Sequence, residues 1–422
     1  MTDTVTVAVV NDHTARATKI MERINELASI SEEEGCVTRT FGTAAFIQGS
    51  KLVFEWMKAA GLQTWTDNIG NVRGRLLSDD PAAKTLVIAS HIDTVVNAGK
   101  FDGPLGVIMG LDIIEQIIAS KTKLPFHIEL IAFSDEEGVR FHTTFLGSKV
   151  VAGSFDNRGL HKKDKAGITL EEVLHSMHAD VKRIPNDAIA RDSWLGYFEI
   201  HIEQGPVLYE KNIPVAVVTA IAGQKRAELT FTGMAGHAGT VPMDMRKDAL
   251  SAAAEFILAM EDFALHNKEK IVATVGKLNI PHAASNVIPG KVICSVDLRS
   301  ADEVVLETAE QSIKGMAAII ANKRNVAIEW HPVQHTKPVT CSEKMTAALT
   351  SSIAASGYEL VELVSGAGHD AVPISTVAPV AMLFVRCFEG ISHNPLENAE
   401  IKDIAAAIKV ADNFIRQLAN NS

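Results

Sequence analysis

The chain has 422 residues, which is too long for one hydrophobic core of ordinary size, so two domains are expected. Apolar residues make up 47% of the chain and charged residues 22%, which is typical of a globular protein and not of a disordered one. The net charge of −11 argues against nucleic acid as a partner. No apolar run approaches the roughly 20 residues of a membrane-spanning helix, so we expect no membrane partner.

The amino-terminal residues and the cysteines predict a cytoplasmic protein. Met1–Val5 contains an acidic residue and has neither the basic region nor the cleavage signature of an export signal. Cys36, Cys294, Cys341 and Cys387 lie far apart in the sequence and form no C-x-x-C pair. In the absence of an export signal they are expected to be reduced thiols.

Hydrophobic spacing predicts helices over residues 14–30 and 45–60. Apolar stretches over 85–90 and 128–133 indicate buried strands, and an apolar helix is expected over 106–120. Strands and helices then alternate as far as residue 220. This order predicts an α/β fold, with a layered α/β catalytic domain and a mixed, largely parallel sheet.

The pattern changes near residue 222, where a second domain is predicted. Its elements follow the order βαββαβ, which is typical of a ferredoxin-like α+β domain. They are predicted over residues 227–232, 247–265, 272–275, 292–298, 303–321 and 326–330. A further strand over 381–385 and one more candidate histidine come later. Residues 223–333 are therefore predicted to be inserted into a catalytic domain made of residues 1–222 and 334–422.

Side chains of the kinds that bind metals occur where the predicted strands end. Examples are His91 after the first buried strand, Glu137 after the second, and His201 on the polar face of an alternating strand. In open α/β sheets, ligands bind beyond the carboxyl ends of the strands, so we expect these side chains to meet. The whole set is His91, Asp102, Glu136, Glu137, His201 and His393.

This set has the imidazoles and carboxylates that two divalent ions require, and both zinc and manganese accept such ligands. A single histidine is more often structural, but three of them near strand ends favour a site. Asp93 is expected to accept the second N–H of His91 and so to orient it. Since adjacent residues point in different directions, one of Glu136 and Glu137 can bind metal while the other acts as a general base.

Two other kinds of site are rejected. Gly103–Gly110 does not match G-x-G-x-x-G, and Pro104 removes an amide donor, so a dinucleotide loop is not expected. Ser134 and Ser392 lack the context of a nucleophile elbow, which argues against a serine hydrolase.

Ten motifs make the sequence resemble the allantoate amidohydrolases and N-carbamoyl-L-amino-acid hydrolases of the dinuclear-metal aminopeptidase/carboxypeptidase superfamily. The resemblance extends over about residues 20–415, with the motifs in the family's order. The motifs cover residues 91–94, 102–106, 134–141, 145–148, 199–206, 236–243, 285–290, 297–299, 365–371 and 390–395.

The resemblance implies two divalent metal ions per subunit, zinc or manganese. His91, Asp102 and His201 would hold the first ion, and Asp102 would bridge to a second held by Glu137 and His393. Glu136 would be the catalytic base, with Asp93 beside it in the catalytic machinery. The inserted domain would serve as a lid and dimerisation domain of a homodimer. The substrate contacts implied are Gln204, His237, Asn286, Arg299 and His369, with His237 supplied by the partner subunit.

The leading hypothesis is a metal-dependent amidohydrolase that cleaves a ureido C–N bond of allantoate and releases ammonia and CO₂. The main alternative keeps the same machinery and hydrolyses an N-carbamoyl-L-amino acid or N-carbamoyl-β-alanine. A peptidase of the same superfamily and a non-catalytic binding protein are the remaining alternatives. The intact ligand set argues against the binding protein.

Overall fold

The computed structural model describes residues 12–421, which form two compact units. The first unit comprises residues 12–219, 341–363 and 368–421. The second comprises residues 220–340 and 364–367. The chain thus leaves the first unit and later returns to it, and the second unit extends slightly beyond residues 223–333 at both ends.

The strands of both units are numbered in chain order. They are β1 (Gln63–Thr66), β2 (Val72–Leu76), β3 (Thr85–His91), β4 (His127–Phe133), β5 (Trp194–Ile202), β6 (Val215–Ile221), β7 (Gly223–Thr232), β8 (Gly236–His237), β9 (Val272–Thr274), β10 (Leu278–Asn279), β11 (Val287–Ile288), β12 (Lys291–Ser300), β13 (Ala327–Thr336), β14 (Val339–Thr340), β15 (Glu362–Ser365) and β16 (Val380–Val385).

The α-helices are numbered in the same way. They are α1 (His13–Ala28), α2 (Ala44–Ala59), α3 (Pro104–Ala119), α4 (Leu146–Val151), α5 (Leu170–Ser176), α6 (Val207–Lys211), α7 (Ala249–His266), α8 (Glu303–Arg324), α9 (Glu343–Ala355), α10 (Ala371–Ile374) and α11 (Ile401–Asn420). Short 3-10 helices occupy several of the connections between these elements.

The larger sheet has the strand order β1-β2-β4-β3-β5-β16-β6-β14, with β15 beside β6. Its central strands β4, β3, β5 and β16 run parallel. The flanking pairs β1/β2, β2/β4 and β16/β6 are antiparallel. The predicted fold class, an α/β domain with a mixed sheet, is confirmed. Since the four central strands are parallel, their carboxyl ends meet at one edge of the sheet.

The central strands are buried on both faces, as expected for a parallel sheet covered by helices. Every residue of β3, β4 and β16 is buried. Helix α3 packs closely against β3 and β5 because Gly106 has no side chain. A Cβ on Gly106 would lie 2.1 Å from the carbonyl oxygen of Ile200 and 2.8 Å from the Cβ of Ser90. This close packing places the start of α3 beside the carboxyl ends of the strands.

The second unit contains a five-stranded antiparallel sheet in the order β10-β12-β7-β13, with β9 also beside β12. Helices α7 and α8 pack on one face, where Phe256 and Ile313 join the core formed with Leu229 and Phe231. The strands β9 and β10 pair with different parts of β12, so they form one interrupted edge strand. The predicted ferredoxin-like order is confirmed.

Two further observations concern the described residues. None of their helices combines the length and apolar character needed to span a membrane. Each of the four cysteines has a free thiol, and three of the four are buried.

Candidate metal centre

The carboxyl edge of the parallel strands brings the five predicted ligands together. His91 is the last residue of β3, and His201 lies near the end of β5. One nitrogen or oxygen atom from each of His91, Asp102 and His201 lies within 4.8 Å of the other two. The same is true of Asp102, Glu137 and His393. Asp102 therefore belongs to two adjacent groups of potential ligands.

The two carboxylate oxygens of Asp102 face different histidines. Oδ1 lies 3.1 Å from Nε2 of His201 and 3.7 Å from Nε2 of His91. Oδ2 lies 3.1 Å from Nε2 of His393, and this nitrogen is 3.3 Å from Oε1 of Glu137. A carboxylate shared in this way can place one oxygen on each of two cations.

The orientation of two histidines suits metal binding. Nδ1 of His91 lies 3.0 Å from the carbonyl oxygen of Asp93, and Nδ1 of His201 lies 2.9 Å from that of Ile202. A carbonyl oxygen only accepts, so each Nδ1 carries the proton and donates it. The lone pair of the neutral ring is then on Nε2, the nitrogen that faces Asp102. This is the usual arrangement of metal-binding histidines.

The electrostatics of the cluster favour bound positive charge. Hydrogen bonds to Asp102 and Glu137 raise the pKa of His393 to about 10. Burial opposes charge on His91 and His201, but the carboxylates around them together outweigh it and raise both pKa values, with Asp102 contributing most among these carboxylates. Burial likewise works against a charged Asp102, yet the three histidines hold its pKa well below the usual value. The residues present therefore fit divalent cations.

Gly103 allows Asp102 to lie against His91. Its φ is +85°, in the left-handed region that favours glycine. A Cβ at this position would lie 2.5 Å from Cε1 of His91 and 2.6 Å from its carbonyl oxygen. Pro104 begins α3, where a missing N–H costs little. The glycine-rich segment rejected as a dinucleotide loop thus has a packing role beside the metal ligands.

The carboxylate of Asp93 holds the turn that carries Glu136 and Glu137. Its Oδ1 accepts the amide of Glu136 at 3.0 Å, and its Oδ2 accepts that of Glu137 at 3.1 Å. Asp135, which lies between β4 and these amides, has φ of +51°, in the left-handed region. The expected bond from His91 to the carboxylate of Asp93 is replaced by one to its carbonyl oxygen, while the carboxylate lies 3.6 Å away.

Glu136 is 8% exposed, and its carboxylate lies in the group formed with His91 and Glu137. Burial raises the pKa of Glu136 well above the usual value; the charge of His91 opposes this shift and that of Glu137 adds to it. A carboxylate of raised basicity, next to the metal ligands but not between the histidines and Asp102, is well suited to accept a proton.

Residues around Asp102 fix its position, and only one of them was predicted. Gln204 donates from Nε2 to Oδ2 of Asp102 at 2.7 Å, and Ser392 donates from Oγ to the same oxygen at 2.8 Å. Oε1 of Glu397 accepts the amides of Phe101 and Asp102, at 2.7 and 3.0 Å. Sequence reasoning missed the roles of Ser392 and Glu397. The sequence signal that could have indicated these roles is that Ser392 and Glu397 lie in the same loop as His393.

His369 lies beside the first group of ligands. It is buried, and its ring is 4.6 Å from that of His201 in an edge-on arrangement. Its Nδ1 lies 4.0 Å from Oε1 of Glu199, a fully buried residue that also accepts the hydroxyl of Tyr197 at 2.9 Å. Burial and repulsion from His201 lower the pKa of His369 well below the usual value, so it is a neutral imidazole.

The remaining predicted contacts belong to the second unit. His237 is exposed on β8 and lies opposite Val287 of β11, and the carbonyl of the exposed Asn286 accepts the amide of Ala238 at 2.9 Å. These two residues are therefore brought close together. Arg299 lies apart from them, on the face of the five-stranded sheet opposite α7 and α8.

Comparisons with known proteins identify relatives of this chain. Residues 87–417 match the model of peptidase family M20/M25/M40. Allantoate deiminase 2 of Glycine max is 38% identical, over 94% of this chain and 88% of the relative. An N-carbamoyl-L-amino acid amidohydrolase of Geobacillus stearothermophilus is 36% identical, over 95% of this chain and 98% of the relative.

A solved structure shows the same fold. The amidase of the hydantoinase/carbamoylase family from Burkholderia multivorans has a TM-score of 0.88 and 33% identity, over 96% of this chain and 98% of that one. The chain belongs to peptidase family M20/M25/M40 and is a hydrolase. The resemblance predicted from the ten motifs is confirmed, since relatives of both predicted kinds match nearly the whole chain.

Proposed function

We propose that this hydrolase cleaves a ureido C–N bond of allantoate with two divalent metal ions, zinc or manganese. The observation that carries the proposal is the position of Asp102, whose two oxygens face His91 and His201 on one side and His393 on the other. Divalent ions in these positions would polarise the ureido oxygen and lower the pKa of the attacking water to about 7.

In this proposal Glu136 moves the proton. Its carboxylate accepts a proton from the attacking water and passes it to the leaving nitrogen, which departs as ammonia. The position of Glu136 beside His91 and Glu137, outside the set of five proposed ligands, suits both halves of this transfer, because the group must first gain the proton and then release it. Asp93 maintains the position of Glu136 by accepting its backbone amide at 3.0 Å.

Two features support a ureido substrate that carries a carboxylate. Oε1 of Gln204 is buried and has no hydrogen-bond partner among the described residues, so it is a ready acceptor for a ureido N–H. Arg299 offers a planar guanidinium, which suits a carboxylate better than a lysine ammonium does. The relatives named allantoate deiminase, at 38% to 40% identity, favour allantoate among such substrates.

The second candidate is an N-carbamoyl-L-amino acid. It is favoured by the Geobacillus stearothermophilus amidohydrolase, which matches this chain over 98% of its own length. The residues next to the proposed contacts, Gly205 and Gly366, are small, so a bulky apolar side chain would find little to pack against. A site with donors for a second ureido group would also disfavour a substrate that lacks one.

The decisive experiment is a substrate panel. The purified protein, loaded separately with zinc and with manganese, is given allantoate, N-carbamoyl-L-methionine, N-carbamoyl-β-alanine and dipeptides. Ammonia release and amino-acid release are measured. We expect kcat/KM for allantoate to exceed the others by orders of magnitude. A preference for a carbamoyl amino acid would support the second candidate, dipeptide cleavage would indicate a peptidase, and no turnover with either metal would indicate a binding protein.

A further inference from the structure

Asn71 is a fully buried residue at the start of β2, and its side-chain amide makes hydrogen bonds in two directions. Oδ1 accepts from the amide of Ser134 at 2.9 Å. The Ser134 hydroxyl, which has one hydrogen to donate, lies 3.1 Å from Oδ1 and 3.0 Å from the carbonyl oxygen of Ile69. Nδ2 donates to Oδ2 of Asp67 at 2.8 Å and to the carbonyl oxygen of Gly147 at 3.2 Å. Both hydrogens of Nδ2 are therefore used, and Oδ1 has an N–H donor.

Ser134 and Gly147 are the ends of two segments that are paired by backbone hydrogen bonds. Residues 134–136 belong to the turn that carries Glu136 and Glu137, and residues 145–147 begin α4. The bonds that join them are Gly147 N to Ser134 O (2.9 Å), Leu146 N to Asp135 O (3.0 Å) and Phe145 N to Glu136 O (2.9 Å). Glu136 is thus held through its own carbonyl group in this short ladder.

The side chain of Asn71 extends this ladder by one step. It accepts from the N–H of Ser134 and donates to the C=O of Gly147, as a peptide group of a neighbouring strand would do. Buried backbone groups need such partners, because no water replaces them. The fit is close: a Cβ on Gly147 would lie 2.1 Å from Oδ1 of Asn71. Only glycine at position 147 leaves room for this amide.

We propose that Asn71 is a positioning residue for Glu136. Its amide closes the ladder that carries Glu136, whereas His91, Asp102, His201 and His393 lie outside this segment, and the amide of Glu137 is held by Asp93. Loss of the amide leaves the N–H of Ser134 without its acceptor and removes a donor from the C=O of Gly147, and the 134–136 segment then loses its fixed position. The inference rests on the proposed role of Glu136 as the base, and it adds a residue that touches neither metal ligand nor substrate.

The test uses Asn71→Ala, with Asn68→Ala as the matched control. Asn68 is an amide in the same turn, but its side chain bonds to Asp187 and to the amide of Asp180 instead of to Ser134. We expect Asn71→Ala to lower kcat at least tenfold, with KM within threefold and metal content unchanged. The control should retain kcat within twofold. Near-UV circular dichroism verifies the fold of both variants.

A double-mutant cycle separates this proposal from the role of Glu136. If Asn71 acts through Glu136, then Asn71→Ala has no further effect on kcat in the Glu136→Gln background. An equal loss in both backgrounds, or loss of metal from Asn71→Ala, would overturn the proposal. Full activity of Glu136→Gln alone would instead overturn the role of Glu136.

Should Asn71→Ala fail to fold, Asn71→Asp takes its place in the cycle. This variant keeps an oxygen for the amide of Ser134 but loses the amino group that donates to Gly147. The criteria are the same, so a folded Asn71→Asp protein with wild-type kcat would also overturn the proposal.

Discussion

The carboxylate of Asp297 holds one edge of the Arg299 guanidinium, with Nε donating to Oδ1 at 2.9 Å and Nη2 to Oδ2 at 3.0 Å. A third donor, on Nη1, is directed to the carbonyl oxygen of Gly366 at 2.5 Å. Arginine has five N–H donors, and these bonds use three of them. Within the contacts of the described residues, two donors therefore remain for another partner. Two is the number that a carboxylate needs for a bidentate pair.

The first prediction concerns this guanidinium. Arg299→Lys should lower kcat/KM roughly 10- to 100-fold for every carboxylate substrate, because an ammonium cannot bond to Asp297 and to a substrate carboxylate in the same planar way. Arg226→Lys is the matched control, since Arg226 also bonds to Asp297 but from the adjacent strand and with greater exposure. Equal kcat/KM losses in the two variants would exclude a special role for Arg299.

The second prediction concerns the base. Glu136→Gln keeps the shape of the side chain and removes its ability to accept a proton. We expect kcat to fall by about 10²–10⁴-fold while metal content and thermal stability stay near those of the wild type. Metal analysis and steady-state kinetics of one preparation provide the check. A variant with more than a tenth of wild-type kcat would refute the assignment.

The third prediction concerns the shared carboxylate. Asp102→Ala should reduce occupancy at both metal positions, because its two oxygens face different histidines. Glu137→Ala is the control and should affect only the position near His393. Metal stoichiometry after dialysis against a weak chelator distinguishes the two variants. Full two-metal content in Asp102→Ala would mean that another residue joins the ions.

The fourth prediction concerns His237, which we propose is contributed to the partner's site in a homodimer. His237→Ala and Glu136→Gln proteins should each be inactive alone. After subunit exchange, mixed dimers contain one site with both residues intact, so about a quarter of wild-type activity should return. If activity stays absent after exchange is verified by mass spectrometry, His237 acts within its own subunit or not at all.

The fifth prediction concerns pH. Burial raises the pKa of Asp67 to about 6, from an ordinary value of 3.8. Below pH 4 both folded and unfolded chains carry the proton. As the pH rises to 6, the unfolded chain releases it more readily, so the folded state loses up to about 3 kcal/mol of stability. Asp67→Asn lacks this titration. Its stability relative to the wild type, measured by urea unfolding, should therefore rise between pH 4 and pH 6, whereas a constant difference would contradict the prediction.

The clustering of the proposed ligands could be predicted from the sequence because two independent signals coincide. His91 and Glu137 are residue types that bind metals, and each comes at or after the end of an apolar run that indicates a buried strand. Parallel strands bring such positions to one edge, whatever the details of the loops. The order of elements in the second unit could also be predicted, because hydrophobic periodicity depends on local residues alone.

The hydrogen-bond partners around the ligands could not be predicted in this way. Glu397 is a charged residue in a loop, which normally indicates solvent exposure, yet it is 3% exposed and bonds to amides at positions 101 and 102. Gln204 and His393 adopt φ values of +59° and +53°, which are uncommon for residues other than glycine. Such conformations depend on contacts distant in sequence, and they decide where the side chains point.

The two sides of the metal centre differ in their access to solvent. The side chain of His393 is 49% exposed, whereas those of His91 and His201 are 3% and 2% exposed. In the proposed two-metal form, a competing chelator would therefore reach an ion beside His393 directly, whereas buried side chains would shield one beside His91. Metal loss would then follow two rates, and a brief exchange would replace one ion only. Such a protein would be suited to the preparation of mixed-metal forms in which each position carries a different spectroscopic probe.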